Sequence, residues 1–381
     1  MSPASPIRIP LSAPEITEAD IEAVTHVLRG PSLSLGPQLE EFERRVQEYV
    51  GASHAVAVNS GTSGLHLCMR ALGIGEGDEV IVPSFAFVAV ANAVCYERAV
   101  PVFMEIETDT LGLDPRKIEA AISPRTRAIL MVHTFGCPAD ALAIRSIARR
   151  HHLFVIEDAC EALGAEIEGR KAGSLGDVGV FAFYPNKQLT TGEGGMVVTD
   201  NSEIAASVRS LRNQGRREPQ DWFQHAEIGY SYRLSDIHCA LGVEQLKRID
   251  SILRRRESVA QAYDRRLCSN PDLILPPLRV PSRKISWFVY VVRLAARFTR
   301  DDRDWILQEM LKRRIGCGRY FAPIHLQPAY GSVKFRMADL SLTEQIAERT
   351  LALPFFNQLT DQQVGEVSMT LLDLMGKVHM R

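Results

Sequence analysis

The chain has 381 residues, 46% of them apolar and 24% charged, with 26 Gly and 20 Pro spread along it and a formal net charge of -2. This profile excludes fibrous and disordered classes, and the length suits two to three domains at roughly 150 residues each. The near-neutral balance argues against a protein that neutralises phosphate backbones, so no nucleic acid partner is expected. The longest uncharged run, Val80 to Tyr96, contains Pro83 and Asn92 and falls short of the ~20 apolar residues of a spanning helix, so no membrane partner is expected either. Residues 1–6 show neither the positive patch nor the apolar stretch of a secretory signal, which points to a cytoplasmic location. The cysteines at 68, 95, 137, 160, 239, 268 and 317 are odd in number and form no C-x-x-C, a pattern of reduced thiols rather than disulfides or a metal site.

Thr17-Glu18-Ala19-Asp20 reads as a capped helix start, followed by Ile21, Val24, Val27 and Leu28 at helical spacing and Gly30 as a stop. A second helix is expected over 38–50. Ala55 to Val58 reads as a buried strand, and Ser60-Gly61-Thr62-Ser63-Gly64 opens the next helix through Leu72. Further strands are expected at 79–83, 101–106, 128–133, 154–157, 178–183 and 196–199, with helices such as 115–122 and 140–151 between several of them. Such β/α alternation predicts a mostly parallel sheet covered on both faces. Beyond Thr199 come a helix over 203–213, a polar loop over 215–227 and a helical stretch over 236–267. A strand over 287–294 and helices near 303–314 and 361–375 then predict a smaller α/β domain. The boundary is placed at residue 250, giving a large domain over 1–250 with an N-terminal arm and a small one over 251–381. Arg254-Arg255-Arg256 reads as a solvated helix face.

Three features carry chemistry. Ser60 to Gly64 joins a strand to a helix, where first-turn amides and the dipole favour an anion such as phosphate; a capped glycine turn is the plainer reading. Asp158 follows the apolar run Leu153 to Ile156, at the carboxyl end of the sheet where open α/β folds bind ligands. Glu161 stands three residues on; a helix cap and a surface acid are the structural alternatives for these two. Lys187 lies between the apolar strand ending at Phe183 and the turn Thr191-Gly192-Glu193-Gly194-Gly195, so its amine is hemmed in and suited to act as a nucleophile. Anion cradle, strand-end aspartate and hemmed lysine are the three parts a pyridoxal phosphate site requires. The series Gly73-x-Gly75-x-Gly77 follows a helix rather than a strand and reads as a turn.

Motifs in order along nearly the whole chain resemble those of the DegT/DnrJ/EryC1/StrS nucleotide-sugar aminotransferases. They are Leu35-Gly36-Pro37, Asn59 to Ser63, Pro83 to Ala89, Glu157-Asp158-Ala159, Lys187 with Thr191 to Gly195, Gly229 to Arg233, and Tyr320 to His325. The resemblance implies the aspartate aminotransferase-like fold (pyridoxal phosphate fold type I), an α/β architecture with a mostly parallel central sheet and a smaller C-terminal domain. It implies that Lys187 forms the Schiff base with pyridoxal 5'-phosphate and that Asp158 keeps the pyridine nitrogen protonated. Gly61 and Thr62 would bind the cofactor phosphate, and Phe87 would stack on the ring, with Phe85 as the fallback. Glu161 matches a position near the ring hydroxyl, and its Glu form resembles enzymes acting on a C4 ketone, such as perosamine synthases. Ser231 stands where Asn is usual in the segment reaching the partner subunit's site, and Ala182 where a phosphate-binding Ser is frequent. Arg233 and His325 match positions near the substrate.

The implied reaction passes an amino group from a donor such as glutamate, through the cofactor, to a keto group of a nucleotide-linked deoxysugar, C4 favoured over C3, in a homodimer with sites at the subunit interface. Two alternatives stand beside it. The related sugar dehydratases carry His in place of the lysine, and Lys187 argues against them. A non-catalytic regulatory homologue is the other, and the intact Lys187, Asp158 and Gly61-Thr62 argue against that.

Overall fold

The computed structural model describes residues 7–217 and 223–378. Residues 1–6 and part of the polar loop expected over 215–227 lie outside them. Helices α1 (Glu18–Arg29) and α2 (Pro37–Val50) lead into β1 (His54–Val58), α3 (Gly61–Ala71), β2 (Glu79–Pro83), α4 (Ala89–Tyr96) and β3 (Val100–Met104). Then follow α5 (Pro115–Ile118), β4 (Thr126–Val132), α6 (Ala141–Arg150), β5 (Phe154–Asp158), the short β6 (Glu166–Ile167) and β7 (Arg170–Lys171), β8 (Val178–Ala182) and β9 (Gly195–Thr199). The rest comprises α7 (Ser202–Arg212), α8 (Asp236–Lys247), α9 (Ile249–Leu267), β10 (Leu273–Ile274), β11 (Arg283–Lys284), β12 (Tyr290–Leu294) and α10 (Arg300–Lys312). The described chain closes with β13 (Arg336–Met337), α11 (Ser341–Arg349), β14 (Thr350–Leu353) and α12 (Asp361–Val378).

Eight strands form the main sheet in the order β1-β9-β8-β5-β4-β2-β3-β13. All run parallel except β9, which is antiparallel to both neighbours. Side chains alternate between faces, as a pleated strand requires. Val56 and Val58 of β1, Val80 and Val82 of β2, and Leu130 and Val132 of β4 pack under α3, α4 and α7. Ala55 and Ala57 face α2 and α8 on the other side, while Ile81, Ile129 and Met131 face α6. Both faces are therefore buried, and the carboxyl ends of β1, β2, β4, β5 and β8 come together at one edge.

A second core belongs to the C-terminal part. The three-stranded antiparallel sheet β10-β12-β14 packs on α9, α10 and α12 through Tyr263, Tyr290, Ile306 and Leu371. Ile9 of the N-terminal arm is buried in this core. Residues in the other direction cross as well: Ile324, Tyr330 and Leu340 pack on the main core, and β13 extends the main sheet. The helical stretch expected over 236–267 is broken between Lys247 and Ile249. One expectation is corrected. Arg256 is not solvated but 2% exposed, and its guanidinium donates to the carbonyls of Trp287 and Phe288 at 2.7 Å each and to Asn357 Oδ1 at 2.8 Å. No helix among the described residues is long and apolar enough to cross a membrane.

Candidate active site

The carboxyl ends of the parallel strands open onto a cavity of about 610 Å³. The first turn of α3 forms one side of it. Ser60 caps this helix by accepting from the Ser63 amide at 3.0 Å, which leaves the Gly61 and Thr62 amides without intrahelical partners. Gly61 is demanded by packing: a Cβ there would lie 2.8 Å from Ala182 Cβ and 2.8 Å from Cys160 Sγ. The helix end is thus pressed onto the ends of β5 and β8, with its positive dipole directed at the cavity.

Asp158 is the last residue of β5 and is buried, lining the cavity beside Cys160, whose amide donates to its Oδ1 at 3.0 Å. It is a strand end rather than a helix cap. The preceding Glu157 anchors the strand: it accepts from the Gly173 amide at 2.8 Å and from the Leu175 and Gly176 amides at 2.5 Å each. His133 pairs with it at 2.9 Å, and the Ala139 amide donates to His133 Nδ1. That bond places the imidazole proton on Nε2, toward Glu157.

Lys187 sits in a loop held by its own backbone. Its amide donates to Tyr184 O at 2.9 Å, and the Phe183 and Thr191 amides close the loop onto Gly194 O and Phe183 O. The Lys187 side chain is 14% exposed, and its Nζ lies 3.5 Å from Glu161 Oε1 and 4.0 Å from the centroid of Phe288. Glu161 is 8% exposed on its side chain, so it is no surface acid, and it accepts from the Phe135 amide at 2.9 Å. Burial pushes the Glu161 carboxyl up; Lys187 and the Phe135 amide oppose this without cancelling it.

The neighbouring Gln188 fixes this arrangement across the molecule. Its buried amide donates to Glu161 O at 2.6 Å and to Ser286 O at 3.0 Å. Gly136 meets the same segment, and its φ of +85° and the Ser286 carbonyl, 1.7 Å from where a Cβ would stand, admit no side chain. Trp287 and Phe288 are held by Arg256 from behind, which fixes the Phe288 ring against the lysine.

Of the residues singled out in the sequence, Gly61, Thr62, Phe87, Asp158, Glu161 and Lys187 line one cavity. Phe87 is 60% exposed, while Phe85 is buried among Phe135 and Phe321. Ser231, Arg233 and His325 do not line this cavity. Arg233 donates to Ser231 Oγ at 2.9 Å and to Asn213 Oδ1 at 3.2 Å. Both ring nitrogens of His325 have protein partners, Ser84 Oγ at 2.7 Å and Glu344 Oε1 at 3.1 Å. Sequence reasoning missed the opposite wall, formed by Phe288, Arg319, Tyr320 and Phe321, together with Tyr184, Asn186 and Glu193. Tyr320 and Phe321 lie inside a motif already noted, but nothing in their residue type marks them as facing the lysine.

A model of the DegT/DnrJ/EryC1/StrS aminotransferase family matches residues 14–372. The chain belongs to that family. Members use pyridoxal phosphate, and this chain is a pyridoxal phosphate-dependent aminotransferase. It is 38% identical to a GDP-perosamine synthase of Caulobacter vibrioides, covering 94% of this aminotransferase and 96% of the relative. The aminotransferase TlmJ of Streptoalloteichus hindustanus is 32% identical, with a TM-score of 0.91 over 97% of this chain and 100% of that one. Spr1654 of Streptococcus pneumoniae in its PLP form is 28% identical, with a TM-score of 0.92 over 97% and 99% of the two chains. The aminotransferase fold expected from the motifs is therefore the observed one. The site fits the cofactor: a buried amine, a carboxylate at the strand end and a helix N-terminus with free amides surround one cavity.

Proposed function

We propose that this aminotransferase takes an amino group from glutamate and delivers it to a keto group of a nucleotide-linked deoxysugar, at C4 rather than C3, in amino-sugar biosynthesis. The observation that carries the reading is the Lys187 amine held 3.5 Å from the buried Glu161 carboxyl, with Asp158 and the first turn of α3 in the same cavity. The Glu form at position 161 resembles enzymes acting on a C4 ketone, and a GDP-perosamine synthase is among the relatives.

The roles follow from position. Lys187 would hold the cofactor covalently, the Gly61 and Thr62 amides its phosphate, and Phe87 one face of its ring. Pyridoxal phosphate, when bound, supplies an electron sink for the carbon that loses its proton. Asp158 would keep the ring nitrogen protonated, because a buried carboxylate beside it favours the charged form. The Lys187 amine, once released, would carry a proton from the donor's carbon and later return one to the sugar carbon. Glu161, 3.5 Å from the amine, would steady it and stand toward the ring hydroxyl.

The active form is proposed to be a homodimer. Ser231 and Arg233 do not line this chain's own cavity, and the neighbouring Phe223 and Ile228 are 83% and 86% exposed, which suits a segment that completes the partner subunit's site. The division into a large domain over 1–250 and a small one over 251–381, and a cytoplasmic location, belong to the same proposal. The test is transfer of label from [15N]glutamate to a panel of nucleotide-linked keto-deoxysugars, with NMR locating the new amine. Nitrogen at C4 is expected. Nitrogen at C3 contradicts the position, and labelling of no sugar contradicts the acceptor class.

A further inference from the structure

Among the described residues that line the catalytic cavity, Lys187 and Arg319 are the only cations. In the proposed reaction Lys187 is committed to the cofactor, while Asp158, Glu161 and Glu193 make the rest of the lining acidic. Arg319 is half-exposed, and its only ion pair among the described residues is with Asp304 Oδ2 at 2.9 Å. Asp304 is itself fixed from behind. Its Oδ1 accepts from Arg303 Nε at 2.6 Å, and Arg303, 3% exposed, donates further to Ala347 O at 3.0 Å and Thr350 O at 2.9 Å. One carboxylate thus serves two guanidiniums, and the buried one has the first claim on it, because an unpaired buried charge is costly. A guanidinium carries five N–H donors in a rigid fork, so the single pair with Asp304 leaves most of the Arg319 fork open to a guest.

We infer that Arg319 binds an oxyanion of the substrates, either a carboxylate of the amino donor or the diphosphate of the nucleotide-linked sugar, with Asp304 as the residue that positions its fork. This rests on the reaction proposed above. Both substrates of that reaction are anions, and a cavity otherwise lined by three carboxylates and one committed lysine would repel them. The guanidinium is matched to either guest, since carboxylate and phosphate each accept two parallel N–H bonds from it. The cofactor's own phosphate has a separate place proposed for it, at the first turn of α3, so it does not compete for this fork.

The experiment follows the cofactor absorbance of the holoenzyme in two separate half-reactions, one started by glutamate and one by each of a panel of nucleotide-linked amino sugars. Wild type is compared with Arg319→Met, which keeps an apolar stem and removes the charge, and Arg319→Lys, which keeps the charge without the fork. In Arg319→Met the half-saturating substrate concentration is expected to rise about 10- to 100-fold, the range for a lost hydrogen bond between charged groups, with the limiting rate within about threefold of wild type. Arg319→Lys should recover part of the loss. A rise with glutamate alone names the carboxylate as the guest, a rise with the sugars alone names the diphosphate, and a rise with both names a subsite the two share. An unchanged half-saturating concentration for every substrate to which wild type responds overturns the assignment. So does a matching loss of pyridoxal phosphate affinity, which would put Arg319 on the cofactor instead. Should wild type respond neither to glutamate nor to any sugar of the panel, the proposed reaction itself fails and the inference falls with it.

Discussion

The two walls of the cavity are built differently. On one side Gly61, Asp158 and Lys187 sit at or just beyond strand ends of an eight-stranded sheet buried on both faces. On the other, Phe288, Arg319, Tyr320 and Phe321 come from connecting segments of the C-terminal part, the Phe288 segment tied in by Arg256 and Gln188 through bonds to the carbonyls of Ser286, Trp287 and Phe288. The first wall carries the groups proposed to hold the cofactor and move the proton. The second presents aromatic and polar surface suited to choosing what enters. Chemistry on rigid elements and selection on loops is a common division of labour in enzymes.

Substitutions can separate the two walls. The largest effect is expected at Lys187→Ala, which removes the proposed covalent anchor and proton carrier together; turnover should fall by about 10⁴-fold or more in a steady-state assay. Residual turnover within tenfold of wild type would break the assignment. Asp158→Asn keeps an acceptor for the Cys160 amide but loses the charge, so kcat should drop about 10²- to 10³-fold while the melting temperature stays near that of wild type. A matching loss of folding would show that the strand end is structural only.

Glu161→Gln sharpens the comparison through pH. Burial places the Glu161 carboxyl above its ordinary value of 4.5, so the folded chain holds this proton more tightly than the unfolded chain does. Its contribution to stability is complete below 4.5 and is lost as pH rises through the raised value. Thermal melts of the cofactor-free protein should therefore show wild type losing stability relative to Glu161→Gln as pH rises from 4.5; parallel profiles would contradict this. On the loop wall, Arg256→Met leaves the Trp287 and Phe288 carbonyls without their donor and should cost about 2–4 kcal/mol in denaturant unfolding. Its effect on turnover should be smaller than at either Lys187 or Asp158, since only the seating of Phe288 is disturbed.

The sheet was legible because its strands are short apolar runs bounded by turn residues, and Asp158 and Lys187 announced themselves by following such runs. The direction of β9 was not, since a strand's composition carries no sign of its polarity. Nor was α4, a helix with Ala89, Val90, Ala91, Ala93 and Val94 buried, which leaves little polar face to reveal a helical period. Arg256 looked like surface because three consecutive arginines usually are, and only the fold shows one turned inward onto carbonyls. The loop wall stayed hidden for a related reason: Phe288 and Tyr320 are ordinary core residue types, and tertiary contact alone makes them part of the site.

The central claim is that Lys187 and Asp158 hold pyridoxal phosphate in this cavity for amino transfer. Its most direct test is the absorbance spectrum of the purified protein with pyridoxal phosphate, recorded before and after glutamate. A visible band that moves to the near ultraviolet on adding glutamate is the predicted result. A folded protein with no visible band, or a band that no amino donor shifts, would contradict it.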